Sequence, residues 1–169
     1  MQNNFYTSTE AGQVTGCSRR QLQYWRDKGV VIPTVNPIGK GRNVYYSIQE
    51  LLALTVMNYL LSLGLSFELA VKILQILRDR ESWLFGESLE PSQSKRWGIL
   101  LSLKGYSPTL IDFDLDLILK TIENGGGAID LSSDRIYGLL KAKLAGFKRQ
   151  GHLFNLDDLS VNEEIFGNA

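Results

Sequence analysis

Three helix starts, each a hydroxyl residue followed three positions later by Glu or Gln, constrain this chain more than any other feature. Thr7 precedes Glu10, Ser18 precedes Gln21 and Ser47 precedes Glu50. In such a box the hydroxyl accepts from an otherwise free N-terminal amide, and the longer side chain reaches back to the cap residue's own N–H. Glycines supply the stops. The spacing predicts a first helix over Ser8 to Thr15 ending at Gly16, and a second over about Arg19 to Lys28 with Gly29 as its left-handed cap. A third runs from Ile48 to Leu63 and stops at Gly64. Ser66 then caps a fourth from Phe67 to about Arg80, with Leu69, Val71, Ile73, Leu74 and Leu77 as its apolar residues. Only Gly16, Cys17 and Ser18 separate the first two helices, so they must turn sharply against each other.

Between the second and third helices lies VVIPTVNPIGKGRNVYYS. Pro33, Pro37, Gly39 and Gly41 exclude a helix, while the flanking Val/Ile residues and Val44, Tyr45 and Tyr46 favour short strands around a glycine-rich tip. Helix, tight turn, helix, wing and two further helices is the ground plan of a winged helix-turn-helix module. The predicted class is α+β: this module over residues 1–80, a linker over 81–96 containing Gly86 and Pro91, and a small mixed α/β dimerisation domain over 97–169. In that second part, alternation predicts strands at Trp97 to Leu103 and at Ile111 to Leu117. A short helix over Asp116 to Asn124, a strand over Ala128 to Leu131 and a helix from Ser133 to about Lys148 follow.

The chain of 169 residues balances 18 Lys and Arg against 18 Asp and Glu, which superficially counts against a nucleic-acid partner. The balance is a cancellation. Residues 1–45 carry Arg19, Arg20, Arg26, Lys28, Lys40 and Arg42 against Glu10 and Asp27, a local charge of +4; residues 107–134 carry six acids against Lys120, a local charge of −5. Salt screens charges beyond roughly 8–10 Å, so a basic helix and wing attract a phosphate backbone whatever the total. On the second helix, Leu22 and Trp25 can face the core while Arg19, Arg20, Gln23 and Tyr24 face outward with Arg26 near them. Arg can fork onto guanine, Gln onto adenine, and Tyr can reach phosphate and sugar. Lys40, Arg42, Asn43 and Tyr45 are the wing's candidates.

These segments carry a resemblance. FYTSTEAGQVTGCSRRQLQYWRDKGVV, GKGRNVYYSIQELLAL and LGLSFELAVKIL, spanning about residues 5–78, resemble in order the first helix, recognition helix, wing and following helix pair of the MerR family of bacterial transcription regulators. The resemblance implies a homodimer on double-stranded DNA that binds a palindromic promoter element and distorts the DNA between half-sites. It also implies DNA contacts from Arg20, Tyr24 and Arg42, and a phosphate contact from Thr7 or Ser8 at the first helix's N-terminus. The sequence departs from the family at Gln23, where Arg is common, and at Trp25, where a second Tyr is common. It departs again after the fourth helix, where Gly86 and Pro91 interrupt the usual long dimerisation helix. In overall layout the chain is also similar to the MerR-type repressors carried beside type V-K CRISPR-associated transposons in cyanobacteria.

Other chemistry finds less support. The one cysteine, Cys17, and the one histidine, His152, are far apart, so no Cys/His metal cluster is expected; Cys17 reads as a small buried hydrophobe and His152 as a surface residue. Asp112, Asp114, Asp116 and Glu123 approach a calcium-loop pattern, but Leu117 occupies the position that needs glycine, and the three aspartates read instead as the solvated face of a strand. No metal and no cofactor are expected, and no enzyme, since the carboxylates lack a catalytic partner. Trp83, Leu84 and Phe85 form an apolar cluster suited to packing between the two halves or to a dimer contact. The apolar run Leu51–Leu63 is too short and interrupted to cross a bilayer and MQNNFYTSTE lacks a signal peptide's features, so a cytoplasmic protein without membrane contact is expected. A DNA-binding repressor is the predicted function, with an excisionase-like architectural recombination factor as the alternative.

Overall fold

The computed structural model describes residues 4–39, 41–91, 93–103, 107–148 and 154–155. The first two boxes form in full. Thr7 Oγ1 accepts from Glu10 N at 3.3 Å while the Glu10 carboxylate accepts from Thr7 N at 2.7 Å, opening α1 (Ser8–Thr15). Ser18 and Gln21 make the same exchange at 3.1 and 2.8 Å, opening α2 (Arg19–Asp27). α3 (Ile48–Ser62) starts where Glu50 accepts from both the amide and the hydroxyl of Ser47, and α4 (Phe67–Arg80) starts where Ser66 accepts from Leu69 N. α2 and α3 each stop slightly short of the predicted ends, with Lys28 and Leu63 as caps and Gly29 and Gly64 left-handed just beyond.

The turn between α1 and α2 depends on two glycines. Gly16 has φ 80°, and its amide closes on Gly12 O at 2.9 Å. Gly12 is ordinary helix, yet a Cβ placed on it would lie 2.8 Å from the carbonyl oxygen of Cys17, which is how closely α2's entry passes over α1. Gly12→Ala is therefore expected to destabilise the fold by about 1–3 kcal/mol, the cost of forcing a packed backbone apart. A urea midpoint no lower than wild type would show that the turn opens freely. Asn58 of α3 seals the site by donating to Thr15 O at 3.1 Å. Cys17 is buried there, and burial pushes its thiol up to about 11, consistent with a packing residue.

One strand pairing was not anticipated. β1 (Asn4–Thr7) lies antiparallel to β2 (Tyr45–Tyr46), with Tyr6 opposite Tyr46 and Thr7 opposite Tyr45, and on its other edge to β6 (Phe154–Asn155). The wing closes through Val35 and Tyr45, whose backbones exchange bonds of 3.0 and 3.1 Å.

The second sheet has order β4-β3-β5, all antiparallel, from β3 (Arg96–Leu101), β4 (Thr109–Asp112) and β5 (Gly127–Ser132). Here the expected strand over Ile111 to Leu117 is corrected: it ends at Asp112, and α5 (Leu115–Glu123) follows. Asp114 accepts from Leu117 N at 3.0 Å as an N-cap, and Asp116 sits in the first turn, so the three aspartates do not line one strand face. Capping outweighs the alternation because the apolar residues from Leu115 onward also satisfy a helical period. α6 (Ser133–Lys148) packs back across α1 and α3, and the Tyr6 and Phe147 rings approach to 6.4 Å. The hydrophobic core is thus continuous from Tyr6 to Leu144 and passes through the segment expected as a linker. In that segment Ser82–Phe85 form a single 3₁₀ turn, with Leu84 fully buried and Trp83 6.0 Å from the Trp97 ring.

Candidate nucleic-acid interface

α2 sorts its side chains as its periodicity requires. Leu22 and Trp25 are buried, whereas Arg19, Arg20, Gln23 and Tyr24 are exposed and Arg26 is half-buried. One local and one long-range bond fix the end of the helix: Trp25 O accepts from Val30 N at 2.8 Å, and Arg78 of α4 donates to Val30 O at 2.8 Å. Tyr24 leans on Phe67 of α4, ring centres 5.1 Å apart, and Lys28 sits 5.6 Å from its ring centre. The departure at Trp25 is therefore a change in the core, while the departure at Gln23 faces solvent.

An open groove brings most of the sequence candidates together. Thr7 and Ser8 from the start of α1, Arg19, Gln23 and Arg26 from α2, and Arg42 and Asn43 from the wing line it side by side. A second groove between α2 and the wing again contains Arg26 and Arg42, so these two guanidiniums border both. Arg20 lies on the exposed surface of the same helix. Arg26 meets Asp27 at 3.7 Å; Arg20 and Arg42 form no ion pair among the described residues. Thr9, which sequence reasoning missed, also lines the groove and accepts from Arg19 Nη2 at 2.7 Å, holding that guanidinium near α1's N-terminus. Only the folded turn places Thr9 beside Arg19. Ser8 is hydrogen-bonded to the buried Tyr46, whose phenol is pushed up chiefly by burial.

One candidate falls elsewhere. Tyr45 is 5% exposed, its backbone committed to both Val35 and Thr7, so it belongs to the interior of the wing and not to its surface. Lys40 lies outside the described residues, as does His152. The acidic surplus is also partly neutralised by cations from outside its own segment: Arg96 grips Asp130 through two bonds of 2.8 Å, and Lys95 meets Asp112 at 3.1 Å. Among the described residues, no three His, Cys, Asp or Glu side chains gather as a metal site would need, and no helix is long and apolar enough to cross a membrane.

Exposed Arg, Gln and Tyr on a short helix beside a basic wing form a surface suited to a major groove and its flanking phosphates. Residues 6–76 match the family described as MerR HTH family regulatory protein. The N-terminal domain belongs to the MerR family. The chain is similar to proteins of Mycobacterium bovis and of Mycobacterium tuberculosis, each named an uncharacterized HTH-type transcriptional regulator. Each is 34% identical over 62 residues, covering 36% of this chain and 28% of the relative. The match thus spans under a third of the length of those relatives.

Proposed function

We propose that the chain is a sequence-specific DNA-binding transcriptional regulator, acting in the cytoplasm as a homodimeric repressor on a palindromic promoter element without a metal or cofactor. The observation that carries this is the single groove shared by α1's N-terminus, α2 and the wing, with Arg20 exposed beside it. α2 enters the major groove, where Arg20 and Gln23 meet base edges, and Arg42 holds a flanking phosphate. Two copies are needed because one nine-residue helix reads too few base pairs to single out a genomic site. The likeness in layout to transposon-borne repressors makes the promoters of a neighbouring CRISPR-associated transposon the first to test.

Selection of bound DNA from a random pool, followed by anisotropy titrations, tests the assignment. Arg20→Ala is expected to cost about 1–3 kcal/mol of binding and to relax preference at one base position in each half-site. Arg42→Ala should weaken all sequences alike and lower the slope of log K against log salt by about one. Affinities equal to wild type for both variants would refute the interface.

A further inference from the structure

We propose that Thr9 is a positioning residue for DNA binding, its hydroxyl aiming the Arg19 guanidinium at a backbone phosphate. The inference rests on the DNA-binding function proposed above and gives Arg19 a different task from that of its neighbour Arg20. Thr9 is the second residue of α1 and Arg19 the first of α2. Both are exposed, and the 2.7 Å bond from Arg19 Nη2 to Thr9 Oγ1 spans the turn between the two helices. In a helix-turn-helix the second helix enters the major groove while the first crosses the sugar-phosphate backbone. A guanidinium tied to α1 is therefore turned toward the backbone. Arg20 stands about 100° further round α2 and forms no ion pair among the described residues, which leaves it for base edges.

The acceptor is neutral, and that decides what Arg19 can bind. A carboxylate at position 9 would orient the guanidinium but cancel its charge, whereas a hydroxyl orients it and leaves the charge whole. Nothing else cancels it. Arg19 forms no ion pair among the described residues, and Glu10, next to Thr9, is committed to the amide of Thr7 at 2.7 Å. The first turn of α2 holds no acid, so Arg19 and Arg20 both stand at the positive end of its dipole, a placement unfavourable in the free protein that a bound phosphate offsets. The groove that Thr9 and Arg19 share is lined by the guanidiniums of Arg19, Arg26 and Arg42 and, among the described residues, by no carboxylate. Holding a long side chain in place before DNA arrives removes part of the ordering cost of the complex, a factor of about two to ten in affinity.

Anisotropy titrations of the full chain over a range of salt test this, on a duplex selected from the random pool and on an unrelated duplex of equal length. Thr9→Ala is expected to raise Kd about two- to tenfold on both duplexes alike, and Thr9→Ser, which keeps the acceptor, to bind like wild type. Arg19→Ala should weaken both duplexes and lower the slope of log K against log salt by about one. Adding Thr9→Ala to it should change nothing more, since the threonine acts only through the arginine. Thr9 is exposed and stands outside the capping box of α1, so its variants should unfold in urea at the wild-type midpoint. Wild-type affinity in Thr9→Ala, a Thr9→Ser variant as weak as Thr9→Ala, a Thr9→Ala loss that persists without Arg19, or an Arg19→Ala loss confined to the selected duplex would each overturn the proposal. The DNA-binding function fails separately, if Arg20→Ala and Arg42→Ala both bind like wild type.

Discussion

Replacing Glu81 with alanine is expected to cost about 3–5 kcal/mol, the loss typical of removing one partner from a buried charged cluster. Glu81, 5% exposed, follows α4, and its carboxylate accepts from Lys95 Nζ at 2.6 Å, Trp83 Nε1 at 2.8 Å and Trp97 Nε1 at 2.9 Å. Alanine would strand the indole N–H of the fully buried Trp97 without an acceptor and leave Lys95 only its contact to the exposed Asp112. These bonds join the end of α4 to β3, so the variant should also loosen the second sheet from α4. Glu81→Gln, which keeps an acceptor but not the charge, should lose less. Urea denaturation at neutral pH measures both, and an E81A midpoint equal to wild type would show that the cluster contributes no net stability.

The same residue predicts a pH dependence. Burial alone would raise the Glu81 carboxyl, but the bonds from Lys95, Trp83 and Trp97 outweigh it and hold the group below its ordinary range. A carboxyl depressed in the folded state stabilises the protein above its unfolded value of about 4.3 and loses that contribution as the pH falls through the folded value. The wild type should therefore lose stability in acid more steeply than Glu81→Gln, and the two curves should converge at low pH.

Trp25→Ala is the second large effect, at about 3–5 kcal/mol for truncating a fully buried tryptophan. Trp25 anchors α2 from beneath while Arg20, Gln23 and Tyr24 project from its exposed side. Its loss should lower the thermal midpoint and weaken DNA binding together, because the reading side chains are placed only by that anchor. Trp25→Phe should recover most of the stability and most of the affinity. If Trp25→Ala bound DNA like wild type while melting earlier, α2 would be held in place by its remaining contacts alone, such as the bond from Arg78 to Val30 O.

Much of this molecule was legible in advance where the governing interactions are local. The boxes at Thr7 and Ser18 and the left-handed glycines at 16, 29 and 64 act within about four residues of themselves, so α1, α2, α3 and α4 stand almost where the spacing placed them. The division of α2 into a buried Leu22–Trp25 edge and an exposed basic edge follows from helical period alone. Local alternation misled between Ile111 and Leu117, because polar aspartates interleaved with leucines fit a strand and a capped helix equally well. It also could not separate Tyr45 from its exposed neighbours Arg42 and Asn43, since what buries Tyr45 is pairing with β1, far away in the chain.

By itself, then, the sequence determined the helix-turn-helix, its polarity and its charge segregation, each set by contacts within a turn or two of helix. Only the tertiary structure decided that Thr9 would hold Arg19 and that Glu81 would collect donors from Trp83, Lys95 and Trp97. It also decided that α5 would turn Ile118 inward and leave Leu115, Leu119 and Ile122 facing out. The reason is the same in each case: which side of an amphipathic element is covered depends on what distant chain comes to lie against it.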